Sequence, residues 1–202
     1  MAARRQRHDG AERVEDSELV DHAELRPLKS GLFVLVPILG AAGERITELQ
    51  REFDPRLAAL GPPHLTLAGS SGMGPIHADT PREVVSAVLD TAARETAPMS
   101  LPLGPAMRFM QSNVIVLPLD PHGPLRALHD RIKGAGLPYA RPRFAFTPHV
   151  TLNFYREQPR DRLRELLTTR ITEPAEIRIL QLYHTWEHNV KTELLGEWEL
   201  RG

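Results

Sequence analysis

Two short segments of the sequence share one pattern: residues 63–67 are Pro-His-Leu-Thr-Leu, and residues 148–152 are Pro-His-Val-Thr-Leu. In each segment apolar residues alternate with a histidine and a threonine, which is the period of a β-strand with one face in a core. Successive side chains on a strand point to opposite faces, so the histidine and the threonine of each segment share a face. The pattern predicts two strands that turn an imidazole and a hydroxyl away from the core.

The repeat extends beyond these segments, because an apolar strand and a helix precede each of them. The predicted strand Phe33–Ile38 matches Val114–Leu119, with Pro37 at the position of Pro118. Two copies of one unit commonly pack about a pseudo-two-fold axis. We therefore expect an α+β fold with two lobes, in which duplicated strand–helix–strand units form two antiparallel sheets around a central groove. Equivalent residues would then face each other across that groove.

Apolar periodicity and turn residues predict the other elements. Asp54 and Pro55 favour a break in the first helix, and Thr80 is the expected N-cap of the second. Segment 99–110 is expected to be a strand pair or one bent strand, and the chain is expected to end in a hairpin that turns at His188 and Asn189. The remaining ranges are helices at 44–60, 81–96, 124–135 and 160–169, and hairpin arms at 175–186 and 191–200.

The composition is that of an ordinary soluble globular protein, with 202 residues, 41% hydrophobic and 25% charged. A formal net charge of −1 argues against a protein that binds long nucleic acid mainly through its phosphates, but it is compatible with binding a nucleotide or an RNA end. The absence of cysteine excludes disulfides, thiolate catalysis and cysteine-ligated zinc. We expect a cytoplasmic monomer without membrane contact, made of a mobile charged tail (1–28) and one folded domain of two lobes (29–202).

Two imidazoles and two hydroxyls around one groove suit phosphodiester cleavage without a metal ion. A neutral imidazole takes a proton from the attacking oxygen and a protonated one gives a proton to the leaving oxygen, since the pKa of free histidine is about 6.5. The threonine hydroxyls would donate to phosphate oxygens. The alternative is that duplication preserved a merely structural turn. A metal site is disfavoured because neither copy has an Asp or Glu nearby.

With this motif pair, the chain resembles the two-histidine phosphoesterase superfamily, which includes the bacterial 2'-5' RNA ligases and cyclic phosphodiesterases. The resemblance covers Leu32 to Leu200 and rests on the paired motifs and the duplicated element order. It implies a bilobal fold with two antiparallel sheets, and no metal or other cofactor. It also implies that His64 and His149 are the general acid and base. Thr66 and Thr151 would bind the phosphate.

Position alone suggests further substrate-binding residues. Arg141 and Arg143 lie in the loop that enters the second motif, where they could meet phosphates or remain solvated loop charges. Four aromatic residues could stack on a base or pack in the core: Phe109, Tyr155, Tyr183 and Trp186.

The sequence therefore predicts an enzyme that hydrolyses 2',3'-cyclic phosphate or 2'-5' phosphodiester bonds of RNA or nucleotides by acid–base catalysis through two histidines. One alternative is a 2'-5' RNA ligase, which runs closely related chemistry in reverse. Another is a catalytically silent module that binds an RNA end or a nucleotide.

Overall fold

The computed structural model describes residues 30–110, 112–186 and 191–202. The predicted tail of residues 1–28 and the predicted turn at His188 and Asn189 lie outside these described residues. In chain order the elements are β1 Ser30–Pro37, α1 Gly40–Phe53, α2 Pro55–Ala58, β2 His64–Ala68, α3 Arg82–Arg94, β3 Met99–Leu101, β4 Met107–Arg108, β5 Ile115–Pro118, α4 Gly123–Lys133, β6 His149–Asn153, α5 Arg160–Thr168, β7 Ala175–Ile177, β8 Ile179–Trp186 and β9 Lys191–Glu199.

The strands form two antiparallel sheets, which confirms the predicted α+β class. The large sheet has seven strands in the order β4-β5-β6-β2-β1-β8-β9, and the small sheet pairs β3 with β7. The two motif strands, β2 and β6, are neighbours near the middle of the large sheet. Each copy of the repeat therefore supplies two adjacent strands of one continuous sheet, and the two pairs of strands meet at the motifs.

The duplication is visible in the strand register. Pro37 on β1 pairs with His64 on β2, and Pro118 on β5 pairs with His149 on β6. The main-chain hydrogen bond that follows each pair, from the residue after the proline to the residue before the histidine, is 2.9 Å long in both copies. The sequence analysis aligned Pro37 with Pro118, and the structure shows that the two prolines occupy the same position in a structural unit that occurs twice.

One face of the large sheet packs on helices and forms the core. The apolar residues of the motifs lie on this face, and Leu65, Leu67, Val150 and Leu152 are all 0% exposed. They belong to one hydrophobic cluster with side chains from α1, α3, α4 and α5. Because neighbours on a strand alternate in direction, the histidines and threonines of the motifs are on the opposite face, away from the helices.

The first helix begins earlier than its apolar period predicts, at Gly40. Gly43 explains the early start, because a Cβ at this position would collide with the carbonyl oxygen of Ile38. The expected break is present, since α1 ends at Phe53 and α2 begins at Pro55. The helix predicted from residue 81 has Pro81 as its N-cap rather than Thr80.

Two predicted strand segments divide between the sheets. Segment 99–110 contains β3 and β4, which lie in different sheets. Segment 175–186, predicted as one hairpin arm, is also split: β7 pairs with β3, whereas β8 pairs with β1 and β9. In both segments, the strands with which each part pairs determine the sheet to which it belongs. The strands that decide the division are distant in the sequence, so alternation within a segment does not predict it. No helix in the described part of the chain is long and apolar enough to cross a membrane.

Candidate active site

The two motif strands lie side by side, and Leu65 is paired with Val150 in antiparallel orientation. In this register the histidine of each motif lies across from the threonine of the other. Directly opposed Cβ atoms of an antiparallel pair are about 5 Å apart and diagonal ones about 7–8 Å. The four polar side chains therefore form a two-by-two array with the imidazoles at opposite corners. The opposed pairs are His64 with Thr151 and His149 with Thr66.

The main chain orients both imidazoles in the same way. Nδ1 of His64 lies 3.0 Å from the carbonyl oxygen of Pro62, and Nδ1 of His149 lies 2.7 Å from that of Thr147. A carbonyl oxygen only accepts, so Nδ1 carries the proton and donates in each ring. Nε2 is left as the nitrogen that gains and loses a proton. Both bonds reach the carbonyl two residues earlier, so the orientation is a property of the repeated unit.

The surroundings of the imidazoles favour their neutral forms. Desolvation lowers the pKa of His64, the hydrogen bond to Pro62 opposes this, and the charge of His149 lowers the pKa further. Desolvation also lowers the pKa of His149, against the opposing effect of the Thr147 carbonyl. Since a charge on one ring disfavours a charge on the other, the pair resists taking up two protons.

An apolar wall stands on the His149 side of the array. The ring of Phe109 meets the imidazole edge-to-face, with centroids 5.0 Å apart. Met107 pairs with Val116, which in turn pairs with Thr151, so its side chain belongs to the same face of the sheet. Met107 is 43% exposed. Phe109, selected from the sequence as a stacking residue, thus lies beside a motif histidine.

The arginines selected from the sequence lie in the loop before β6. Arg141 and Arg143 are exposed, and neither forms an ion pair with a residue in the described ranges. The main-chain N–H of Arg143 donates to the carbonyl of Ser70 at 2.9 Å, and its guanidinium carbon is 5.7 Å from the ring centroid of Phe144. Since Ser70 follows β2, this loop borders the end of the array at which Thr66 faces His149.

The other selected aromatic residues are divided. Tyr183 pairs with Phe33 on β1 and shares the face of the array. Tyr155 lies elsewhere, beyond the end of β6, with the guanidinium of Arg56 4.2 Å from its ring centroid. Trp186 is at the end of β8, where its ring lies 3.6 Å from that of His184. The structure therefore brings Tyr183 to the face of the sheet that carries the array and places Tyr155 and Trp186 away from the array.

Two buried polar residues of the α1 region, missed in the sequence, hold the second motif strand from behind. The side-chain amide of Gln50 donates to the carbonyl of Thr151 at 2.8 Å. The carboxylate of Asp54 accepts from the main-chain N–H groups of Phe154 at 2.8 Å and Tyr155 at 2.7 Å. Both are at most 4% exposed. Both residues lie on the apolar face of the predicted helix, and a buried polar residue needs a hydrogen-bond partner. This position was the feature of the sequence that could have identified them.

The donor set around the array is poor in metal ligands. Among the residues that the structure describes, no group of three or more His, Cys, Asp or Glu is placed to hold a metal ion.

Comparisons with known proteins agree with this fold. The sequence model described as the 2'-5' RNA ligase superfamily matches residues 39–190, which include both motifs. The structure of E. coli LigT complexed with 3'-AMP is similar, with a TM-score of 0.55, 21% identity, and coverage of 86% of this chain and 99% of that chain. The structure of TT0787 from Thermus thermophilus gives a TM-score of 0.61 and 18% identity, covering 85% of this chain and 98% of that one. No curated protein matches the sequence.

Proposed function

The chain belongs to the 2'-5' RNA ligase superfamily, and from this premise we propose that it is a metal-independent phosphoesterase. Its proposed substrates are 2',3'-cyclic phosphates and 2'-5' phosphodiester bonds of RNA or nucleotides. The observation that carries the proposal is the two-by-two array, in which the antiparallel pairing of β2 and β6 sets two imidazoles on one diagonal and two hydroxyls on the other. A phosphate above this array has an imidazole on either side.

The diagonal suits an in-line displacement at phosphorus. Nε2 of one neutral imidazole removes a proton from the attacking water while the water oxygen bonds to phosphorus. The bond from phosphorus to one ribose oxygen breaks, and the second imidazole, protonated at Nε2, gives its proton to that oxygen. The two rings finish with their protonation states exchanged, and solvent restores them. Attack and departure take place on opposite sides of the phosphorus, which is why the two rings must not be adjacent.

The threonine hydroxyls would stabilise the negative charge on the phosphate oxygens that the imidazoles do not contact. Thr66 and Thr151 are each half-buried and face the position between the rings, where they would donate to the non-bridging oxygens. These donors are fixed by a β-strand before the substrate arrives, so they need no reorganisation during the reaction. The bonds from Nδ1 to Pro62 and Thr147 keep each Nε2 turned toward the phosphate.

A substrate panel tests the proposal. The purified protein would be incubated with the four 2',3'-cyclic nucleotides, with 2'-5' dinucleotides and with matched 3'-5' dinucleotides, and the products separated by chromatography. We expect turnover of the first two classes, and loss of at least a hundred-fold in kcat for His64→Ala and His149→Ala. His122→Ala, in an exposed loop, is the matched control.

Ligation is measured in the same panel by offering an RNA end with a cyclic phosphate together with a 5'-hydroxyl end. Binding of a nucleotide without turnover of any substrate would contradict the proposal and favour the binding module.

A further inference from the structure

A row of paired residues leads from the array to the far edge of the sheet. Thr66 pairs with Leu35, Leu35 pairs with Gln181, and Gln181 pairs with Glu197. Directly paired residues share a face of the sheet, so all four belong to the face that carries the imidazoles. This row places two polar side chains on β8 and β9, on the same face as the array and toward one edge of the sheet.

Gln181 and Glu197 form a fixed pair of hydrogen-bond acceptors. Gln181 is 9% exposed, and its side-chain amide donates to Oε1 of Glu197. Because a carboxylate only accepts, the amide nitrogen must face Glu197, which leaves the amide oxygen and the second carboxylate oxygen as acceptors. Tyr183 lies two residues along β8 on the same face. Burial and the charge of Glu197 both raise the pKa of Tyr183.

The duplicated half of the sheet offers an internal comparison. In the register of the second copy, Val116 occupies the position of Leu35, and Met107 occupies that of Gln181. The fold accepts an apolar residue there, and the sheet forms without a polar pair. The two sides of the array therefore differ in chemistry, with acceptors on the β8–β9 side and apolar residues on the β4 side.

The spacing of the row matches the size of a nucleoside. Strands are about 4.8 Å apart, so Gln181 lies roughly 10 Å and Glu197 roughly 14 Å from Thr66 across the sheet. A phosphate bound at the array would thus set its base over Tyr183 with the base edge at the acceptor pair. The carboxylate itself lies beyond one Debye length of about 8 Å from the phosphate, so their repulsion is screened.

We propose that Gln181 and Glu197 recognise the base of the substrate and select guanine. This inference rests on the proposed function, because the phosphate must be held at the array. Guanine carries two adjacent donors on its pairing edge, N1–H and the N2 amino group, which match two adjacent acceptors. Adenine and cytosine present one donor beside a ring-nitrogen acceptor, and uracil presents one donor between two acceptors, so each of them would place an acceptor against an oxygen. A two-bond contact of this kind discriminates between bases by about ten- to a hundred-fold.

The test compares kcat/KM for the four 2',3'-cyclic nucleotides. We expect the guanosine substrate to exceed the others by about ten- to a hundred-fold. Glu197→Gln should remove this preference while the values for the other three stay within about two-fold, because only guanine loses a charge-assisted contact. Gln181→Met copies the residue at the equivalent position of the other half and should also reduce the preference. Glu193→Gln, on the opposite face of β9, is the control.

Calorimetry with 2'-GMP and 2'-UMP separates this inference from the proposed function. Turnover of all four substrates at equal rates would overturn the inference and leave the function standing. Selective binding of 2'-GMP without turnover of any substrate would support the inference and overturn the function. A loss of activity shared by all four substrates in both variants would show that the pair is structural, and would overturn the inference.

Discussion

Leu65 and Val150 occupy the same position in the two motifs, and they pair with each other where the halves of the large sheet meet. A local two-fold axis therefore passes between them. This one pairing sets the histidine of each motif opposite the threonine of the other, without help from any loop. The array is a direct product of strand register.

The hydroxyls of the array can be removed without a change of shape. Thr66→Val or Thr151→Val should lower kcat by on the order of a hundred-fold, because each removes one donor to the charged phosphate oxygens. The melting temperature should stay within a few degrees. Thr172→Val, in an exposed loop, is the matched control. Unchanged turnover in both variants would assign the threonines to structure.

The rate should depend on pH as a bell. Activity requires one neutral and one protonated imidazole, so it falls when both rings gain a proton and when both lose one. Desolvation lowers the pKa of His64 and of His149, so kcat/KM should peak on the acid side of neutrality. The two apparent pKa values belong to the pair. A profile of kcat/KM from pH 4 to pH 9 checks this, and a maximum above pH 8 would contradict it.

Chelation tests the role of metal. The proposed proton transfers need only the two imidazoles, so EDTA should leave the rate unchanged. Added Mg²⁺, Mn²⁺ or Zn²⁺ should restore nothing, since nothing has been lost. Inactivation by EDTA with recovery on adding a divalent ion would make His64 and His149 ligands rather than acid and base.

Asp54 should contribute strongly to the stability of the fold. Asp54→Ala removes the acceptor of two main-chain N–H groups that follow β6, and it should lower the free energy of unfolding by about 2–4 kcal/mol. Asp54→Asn keeps one acceptor oxygen and should cost less. Urea denaturation measures both, with the exposed Asp161→Ala as the control. Equal stability of Asp54→Ala and the parent chain would refute this account.

His129 should make stability depend on pH. It is 1% exposed, stacks on Phe146 at 3.9 Å, and its Nε2 has no hydrogen-bond partner in the described ranges. Burial lowers its pKa, against the opposing effect of Asp130. The unfolded chain therefore takes up a proton from about pH 6.5 downward while the folded chain does not.

Stability should accordingly fall as the pH drops below about 6.5 and level off below the folded pKa. His129→Leu should show a smaller fall in melting temperature between pH 7.5 and pH 5, and His77→Leu, on the surface, should match the parent. The residual fall comes from His64 and His149, whose pKa values are also lowered. An identical slope in the His129 variant would contradict this prediction.

The polar side chains of the array could be anticipated from the sequence, because strand alternation and duplication are read locally. The direct pairing of β2 with β6, which sets each histidine opposite a threonine, could not. Alternation assigns the faces of His64 and Thr66, and duplication supplies the second set. The helix break at Pro55 was predictable for the same reason, since it is local.

The supports behind β6, and the place of Gln181 and Glu197 in the same sheet as the array, were not predictable, because they depend on contacts between segments far apart in the chain. Gln50 bonds to Thr151 across 101 positions. Alternation and the predicted hairpin put Gln181 and Tyr183 on one face of β8 beside the last strand, but they say nothing of the pairing of β8 with β1. The split of segment 175–186 between two sheets has the same origin.

Strand alternation also limits how such a gene can change length. Inserting one codon within β2 would turn Thr66 and its neighbours over, sending polar groups into the core and leucines into the groove. The loops between elements carry no such constraint. Differences in length between the two copies should therefore accumulate in the loops, while the five-residue motifs keep their length in any descendant that remains active.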